Sequence, residues 1–268
     1  VTGPKFSSIY GMTANPLRQV FMMGAIWRLA LNKQNASLNI LEVGSWTGAS
    51  ALTWGEALEI HNNGNGEITC IDAWEPYYND TEILDDLSRQ INDALSGDEP
   101  FQVFQKNMEH LPPSVNLNVR RGWSQDILPT LAHDSFDLVY IDGDHSYQGV
   151  SVDLENCCPL VNKGGFICGD DLELQSHQVD ATIALQQPNL DKLHDQFSDT
   201  TYHPGVTRAI GEKFGRVSSW HGFWAMQKLD GHWQEVSLAG MPPHIPSFIS
   251  PENLIGLKAL LMERGFFD

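Results

Sequence analysis

Three scarcities frame this chain. Cysteines number four in 268 residues: Cys70, Cys157, Cys158 and Cys168. Cys157 and Cys158 are adjacent, with no second pair at zinc-ligand spacing. The pattern suits small buried side chains in a reducing, cytoplasmic compartment rather than a disulfide framework. Basic residues are scarce too, with 16 Lys and Arg against 34 Asp and Glu, a formal charge of -18. Such a field repels a nucleic-acid backbone and an anionic membrane, so neither is an expected partner. Long apolar runs are missing: no stretch reaches the length of a bilayer span. Residues 1–30 lack the charged start, apolar centre and cleavage site of a signal peptide. The chain opens on Val1, which admits a segment cut from something longer.

What is present is an alternation of strand and helix patterns. A helix is expected from Pro16 to Asn32, where Val20, Phe21, Met23, Ile26 and Leu29 recur at helical spacing. Strands are expected at Ser37–Val43, Glu67–Asp72, Val115–Arg120, Phe136–Ile141 and Phe166–Gly169. Between them fall helices near 49–61, 81–96, 99–109, 125–132 and 147–161. The fold class that follows is α/β, a doubly wound, mostly parallel sheet covered on both faces. Beyond Asp171 a helix is expected over 176–187, then a loop at Tyr202–Gly205. The runs Gly211–Ser219 and Gly222–Lys228 read as a closing antiparallel hairpin, followed by a terminal helix over 251–264. With no repeat and no low-complexity linker, residues 1–268 read as one domain, with an N-terminal helical segment (1–35) and an insertion or cap (73–110).

Two acidic clusters each follow a strand: Asp142-Gly143-Asp144-His145 and Asp170-Asp171. If the two strands are parallel neighbours, Asp142, Asp170 and Asp171 meet at one sheet edge. Carboxylates so crowded call for a positive charge between them, a divalent cation being the usual one. His145 lies within reach of whatever that cation holds and can accept a proton. Asp144 or Ser146 reads as a cap for the next helix. The first strand leads into Gly44-Ser45-Trp46-Thr47-Gly48. Trp46 stands where a dinucleotide site wants glycine, which argues against NAD or FAD. Asp72, ending the second strand, can accept hydrogen bonds from both ribose hydroxyls. Trp74, Tyr77 and Tyr78 read equally as an aromatic wall or as packing.

Together, Glu42-Val43-Gly44 with Gly48, the acid Asp72 and the fourth-strand Asp142 resemble class I S-adenosylmethionine-dependent methyltransferases. The segment from Gly122 to Pro129, and the spacing from Asp142 to Asp170-Asp171, resemble metal-dependent catechol O-methyltransferase-like enzymes. Asp142–Tyr147 and Gly164–Asp171 look closer still to macrocin-type sugar O-methyltransferases. The resemblance spans about residues 38–172. It implies that Glu42, Gly44, Trp46 and Ser50 line the methionine side of S-adenosylmethionine, that Asp72 takes the ribose, and that Ser124 and Gln125 contact the adenine. Asp142 borders both sites. It implies Mg2+, or another divalent cation, on Asp142, Asp170 and Asp171, with His145 as general base.

The expected activity is metal-dependent O-methylation of a sugar-containing or polyhydroxylated small molecule, in natural product biosynthesis. A metal-independent methyltransferase, a nicotinamide oxidoreductase and a non-catalytic cofactor-binding module of a biosynthetic assembly are the competing readings. Assembly into a homo-oligomer is left open.

Overall fold

The computed structural model describes residues 3–6, 16–34, 36–77, 86–180, 190–249 and positions 257 and 261. Five strands build the parallel part of the sheet: β1 (Leu38–Val43), β2 (Gly66–Asp72), β3 (Asn116–Arg121), β4 (Phe136–Ile141) and β5 (Val161–Leu172). Their order is β3-β2-β1-β4-β5, every neighbouring pair parallel. From β1 the chain therefore winds one way through β2 and β3, then returns to wind the other way through β4 and β5. The reversal opens a crevice between the carboxyl ends of β1 and β4, where open parallel sheets take their ligands.

Alternation along each strand feeds two cores. Ile40, Ile68, Leu138, Tyr140 and Phe166 pack beneath helices α1 (Pro16–Lys33) and α2 (Ala49–Asn62). Leu41, Val43, Ile71, Val139, Ile141 and Ile167 face the opposite way, toward α6 (Tyr147–Cys157). Between β2 and β3 come α3 (Asp86–Ser96) and α4 (Glu99–Met108), and after β3 the short α5 (Ser124–Ile127). The expected helix start at 81–85 lies outside the described residues, as does Tyr78. Trp74 is buried against Phe101 and Phe104 of α4. It is packing there, not a wall, while Tyr77 is exposed.

Past β5 the structure departs from the expected pattern. Residues 176–180 form turns rather than the start of a helix, and 181–187 lie outside the described residues. A small two-stranded sheet follows, β6 (Leu193–Asp195) and β7 (Thr200–Tyr202). The run Gly211–Ser219 is not one strand: it holds the end of a helix, α7 (Pro204–Phe214), and a short strand, β8 (Ser218–Trp220). Val206, Ala209 and Ile210 of α7 are buried at helical spacing, and Pro204 begins the helix where its missing N–H costs nothing. The antiparallel closure does form, with β8 and β5 both pairing β9 (Gly222–Leu229), and β10 (His232–Glu235) adds a further antiparallel strand. Of the terminal helix, Leu257 and Leu261 are buried against the α1 side of the sheet; the rest of 251–264 lies outside the described residues. Among the described residues no helix is long and apolar enough to cross a membrane.

Candidate active site

The Gly-rich turn is fastened to both neighbouring strands. Gly44 N–H donates to the Ile71 carbonyl at 2.9 Å, and Asp142 N–H donates to the Val43 carbonyl at 2.9 Å. Gly44 has φ +86°, and a Cβ there would stand 2.0 Å from the Asp142 carbonyl oxygen. Only glycine lets the ends of β1 and β4 come this close. Asp72 braces the turn, its two carboxylate oxygens accepting the N–H groups of Trp46 at 2.8 Å and Trp74 at 2.7 Å. Burial raises the Asp72 pKa, against those same backbone donors. A carboxylate has about four acceptor positions, so the ribose role left to Asp72 is compatible with this bracing.

Glu42 lies enclosed beneath the turn. It is fully buried, and its carboxylate accepts a hydrogen bond from Trp54 Nε1 at 3.0 Å. Burial pushes its pKa to about 7, opposed by the hydroxyls of Ser45 and Ser50. Glu42 and Ser50 are thus both buried and hydrogen-bonded to each other beside the turn. Ser124 donates to Asp153 of α6 at 2.7 Å, while Gln125 and Trp123 are exposed. Asp153, which the sequence reading passed over, is buried and held at a pKa of about 6 by that burial, so it links the segment after β3 to α6.

At the ends of β4 and β5 the three acids do meet. Tyr140 donates to Asp142 Oδ2 at 2.9 Å. Asp170 forms a buried ion pair with Arg18 of α1, and the same guanidinium nitrogen stands 3.8 Å from Asp142 Oδ2. Arg18 was not among the expected site residues. Of the three basic residues of α1, Arg18, Arg28 and Lys33, only Arg18 is buried, a signal legible only once α1 is known to cover this edge. Between Gly169 and Leu172 the pairing of β5 with β9 shifts register, and Asp171 takes a left-handed φ of +62°. Such an irregularity re-aims side chains. Asp170 turns to Arg18, and Asp171 turns to His145, whose Nε2 lies 2.9 Å from Asp171 Oδ2.

His145 is held from both sides, its Nδ1 lying 2.9 Å from Asp191 Oδ1. Burial opposes a charge on the ring, but Asp171 and Asp191 outweigh it and raise the His145 pKa well above 6.5. Burial likewise pushes Asp171 up, and His145 outweighs it, holding that carboxyl far below its usual range. Burial raises Asp142 despite Arg18. Asp144 accepts from the N–H and hydroxyl of Ser146, and Ser146 caps α6 by accepting from Gly149 N–H at 3.0 Å. Asp144 is thus tied to the cap.

Ligand-capable atoms of Asp142, His145 and Asp171 lie within 4.8 Å of one another. Three carboxylates face one guanidinium, so the edge keeps a surplus of negative charge. That donor set fits an added hard cation, the carboxylates of Asp142, Asp170 and Asp171 each having one protein partner, Tyr140, Arg18 and His145 respectively.

A strand order reversing between β1 and β4, a glycine-bounded turn at that reversal and an acid closing β2 define the Rossmann-like fold of class I S-adenosylmethionine-dependent methyltransferases. Residues 41–172, just under half of the chain, match the family described as "Methyltransferase domain". The fold is similar to that of the O-methyltransferase NovP, with a TM-score of 0.52 at 18% identity, covering 79% of this chain and 80% of that one. Over 145 residues the chain is 26% identical to 8-demethyl-8-(2,3-dimethoxy-alpha-L-rhamnosyl)-tetracenomycin-C 4'-O-methyltransferase of Streptomyces olivaceus, covering 52% of this chain and 54% of that protein. Over 75 residues it is 33% identical to an uncharacterised protein of Acanthamoeba polyphaga mimivirus, covering 27% of this chain and 31% of that protein. The matches thus span about a third to a half of these two relatives.

Proposed function

We propose that this protein is an S-adenosylmethionine-dependent, divalent-metal-dependent O-methyltransferase for a hydroxyl of a sugar-containing or polyhydroxylated small molecule. The observation that carries the reading is the meeting of Asp142, Asp171 and His145 beside the Gly-rich turn. The Streptomyces relative, whose name places its methyl group on a rhamnosyl-bearing molecule, supports the choice of acceptor. In this reading Gly44, Trp46 and Asp72 border the cofactor, with Ser124 and Gln125 on its adenine side and Glu42 and Ser50 beside the turn. Asp142, Asp170 and Asp171 hold the cation, with Arg18 on Asp170.

Bound S-adenosylmethionine supplies an electrophilic methyl, and a divalent cation lowers the pKa of a hydroxyl and fixes its direction. The chain's own residues do the rest. Asp191 orients the His145 ring through Nδ1, so that Nε2 faces the acidic edge where the acceptor hydroxyl enters. With Asp171 given over to the cation, its hold on the His145 proton would be relieved, and the neutral ring would take the hydroxyl proton at Nε2 as the oxygen–methyl bond forms and the sulfonium's sulfur–methyl bond breaks, releasing the thioether. Turnover should vanish with EDTA, return with Mg2+, and fall by about a hundredfold or more in His145→Ala. Wild-type turnover in that variant would remove His145 from the mechanism.

A second reading keeps the cofactor and dispenses with the metal. Arg18 favours it, because a fixed cation already stands between Asp142 and Asp170. Turnover unchanged by EDTA, with no Mg2+ binding by calorimetry, would select it.

A further inference from the structure

The geometry points to a second metal site, built on His145, His203 and Asp191, that takes a borderline transition metal such as Zn2+ or Co2+ and withdraws His145 from proton transfer. It shares His145, with Asp171 behind that ring, with the methyl-transfer reading and otherwise rests on its own residues. Asp191 and His203 flank the small β6–β7 sheet in sequence, Asp191 before it and His203 after it, and both ends return to His145.

Two imidazoles converge there on one carboxylate oxygen. His145 Nδ1 is 2.9 Å from Asp191 Oδ1, and His203 Nε2 is 3.8 Å from that same atom. The rings meet edge to face at 4.7 Å between centroids. Ligand-capable atoms of all three residues lie within 4.8 Å of one another. The longer approach exceeds a hydrogen bond, so Asp191 satisfies one ring well and the other poorly. A cation among them would engage both.

The outer partners are those of metal-binding histidines. Each ring turns its other nitrogen to a carboxylate: His145 Nε2 to Asp171 at 2.9 Å, and His203 Nδ1 to Glu173 at 3.2 Å. A carboxylate on the far nitrogen fixes the ring and its tautomer for ligation. His203 is also rigidly seated, its side chain only 7% exposed. Two imidazoles and one carboxylate, with a position left open, suit zinc-like ions rather than magnesium, which prefers an all-oxygen shell. The acidic edge and this site would then respond oppositely, Mg2+ supporting turnover and Zn2+ stopping it.

The test is a Co2+ titration of the full chain in saturating Mg2+, followed by the visible absorption of the bound ion. Wild type should bind one Co2+ that excess Mg2+ does not displace. Asp191→Asn, at a half-exposed position, and His203→Gln should each weaken Co2+ by at least about tenfold, as ligand-shell changes do. Asp142→Asn should lose Mg2+-supported turnover and keep the Co2+ spectrum, which separates failure of one site from failure of the other. Co2+ displaced by Mg2+, no visible spectrum, or unaltered affinity in Asp191→Asn would overturn the site. Because Asp191 lies outside the core, that variant decides the matter even if His203→Gln misfolds.

Discussion

Arg18 and Glu42 are charged residues enclosed in this protein, and they carry opposite consequences. Arg18 is buried on Asp170 and close to Asp142. Removing one partner of such a pair leaves charge uncompensated, at a cost of about 3–5 kcal/mol. Arg18→Met should lose roughly that much in urea unfolding without divalent cations. Mg2+ should restore part of it, because an ion bound only by the folded state stabilises that state. An unchanged midpoint would show that Arg18 does not neutralise the edge. Glu42 acts through its proton. Its pKa rises from an ordinary 4.5 to about 7 in the folded protein. Between those values the folded state holds a proton that the unfolded chain has released. Stability from this residue is therefore greatest below the unfolded pKa and is lost as pH rises to about 7, by about 3 kcal/mol in all. Glu42→Gln keeps an acceptor for Trp54 and should flatten that slope in unfolding measured from pH 4.5 to 7.5.

At the scale of elements, the glycine turn is a joint between β1 and β4. Gly44→Ala would force a methyl to 2.0 Å from the Asp142 carbonyl oxygen at a φ of +86°. It should destabilise by more than about 1 kcal/mol and abolish S-adenosylmethionine binding by calorimetry. Near-normal binding would mean that the turn does not shape the cofactor site. Strands β1 to β5 were legible in the sequence because their apolar runs are bounded by turn residues and by acids at their carboxyl ends. That Asp142, Asp170 and Asp171 share one edge followed from the pattern alone. The helix α7 was not legible: Gly211 and the apolar residues after it read as a strand, and only the burial of Val206, Ala209 and Ile210 reveals the helical face. Asp191 and Arg18 escaped for a different reason. Their partners are distant in sequence, Asp191 standing 46 positions after His145, and no local period marks such a pairing.

For the whole molecule, the acidic balance and the reversal of strand order act together. A chain with a formal charge of -18 attracts cations, and it brings Asp142, Asp170 and Asp171 together at the end of the sheet. Ligand linkage tests the class as a whole. S-adenosylmethionine at about 100 times its Kd should stabilise the fold by about 2.7 kcal/mol, read as a rise in thermal midpoint. NAD should leave the midpoint where it is, since Trp46 takes the place of the glycine that a pyrophosphate needs. A rise with NAD alone would return the nicotinamide reading.

The match to the methyltransferase family begins at residue 41, whereas Arg18 belongs to a helix that ends at Lys33. A fragment trimmed to those boundaries would keep Asp142, Asp170 and Asp171 and discard Arg18, the buried guanidinium paired with Asp170. The unit defined by the family match is thus smaller than the unit that pairs its own buried acid, and any minimal version of this protein has to start upstream of that match.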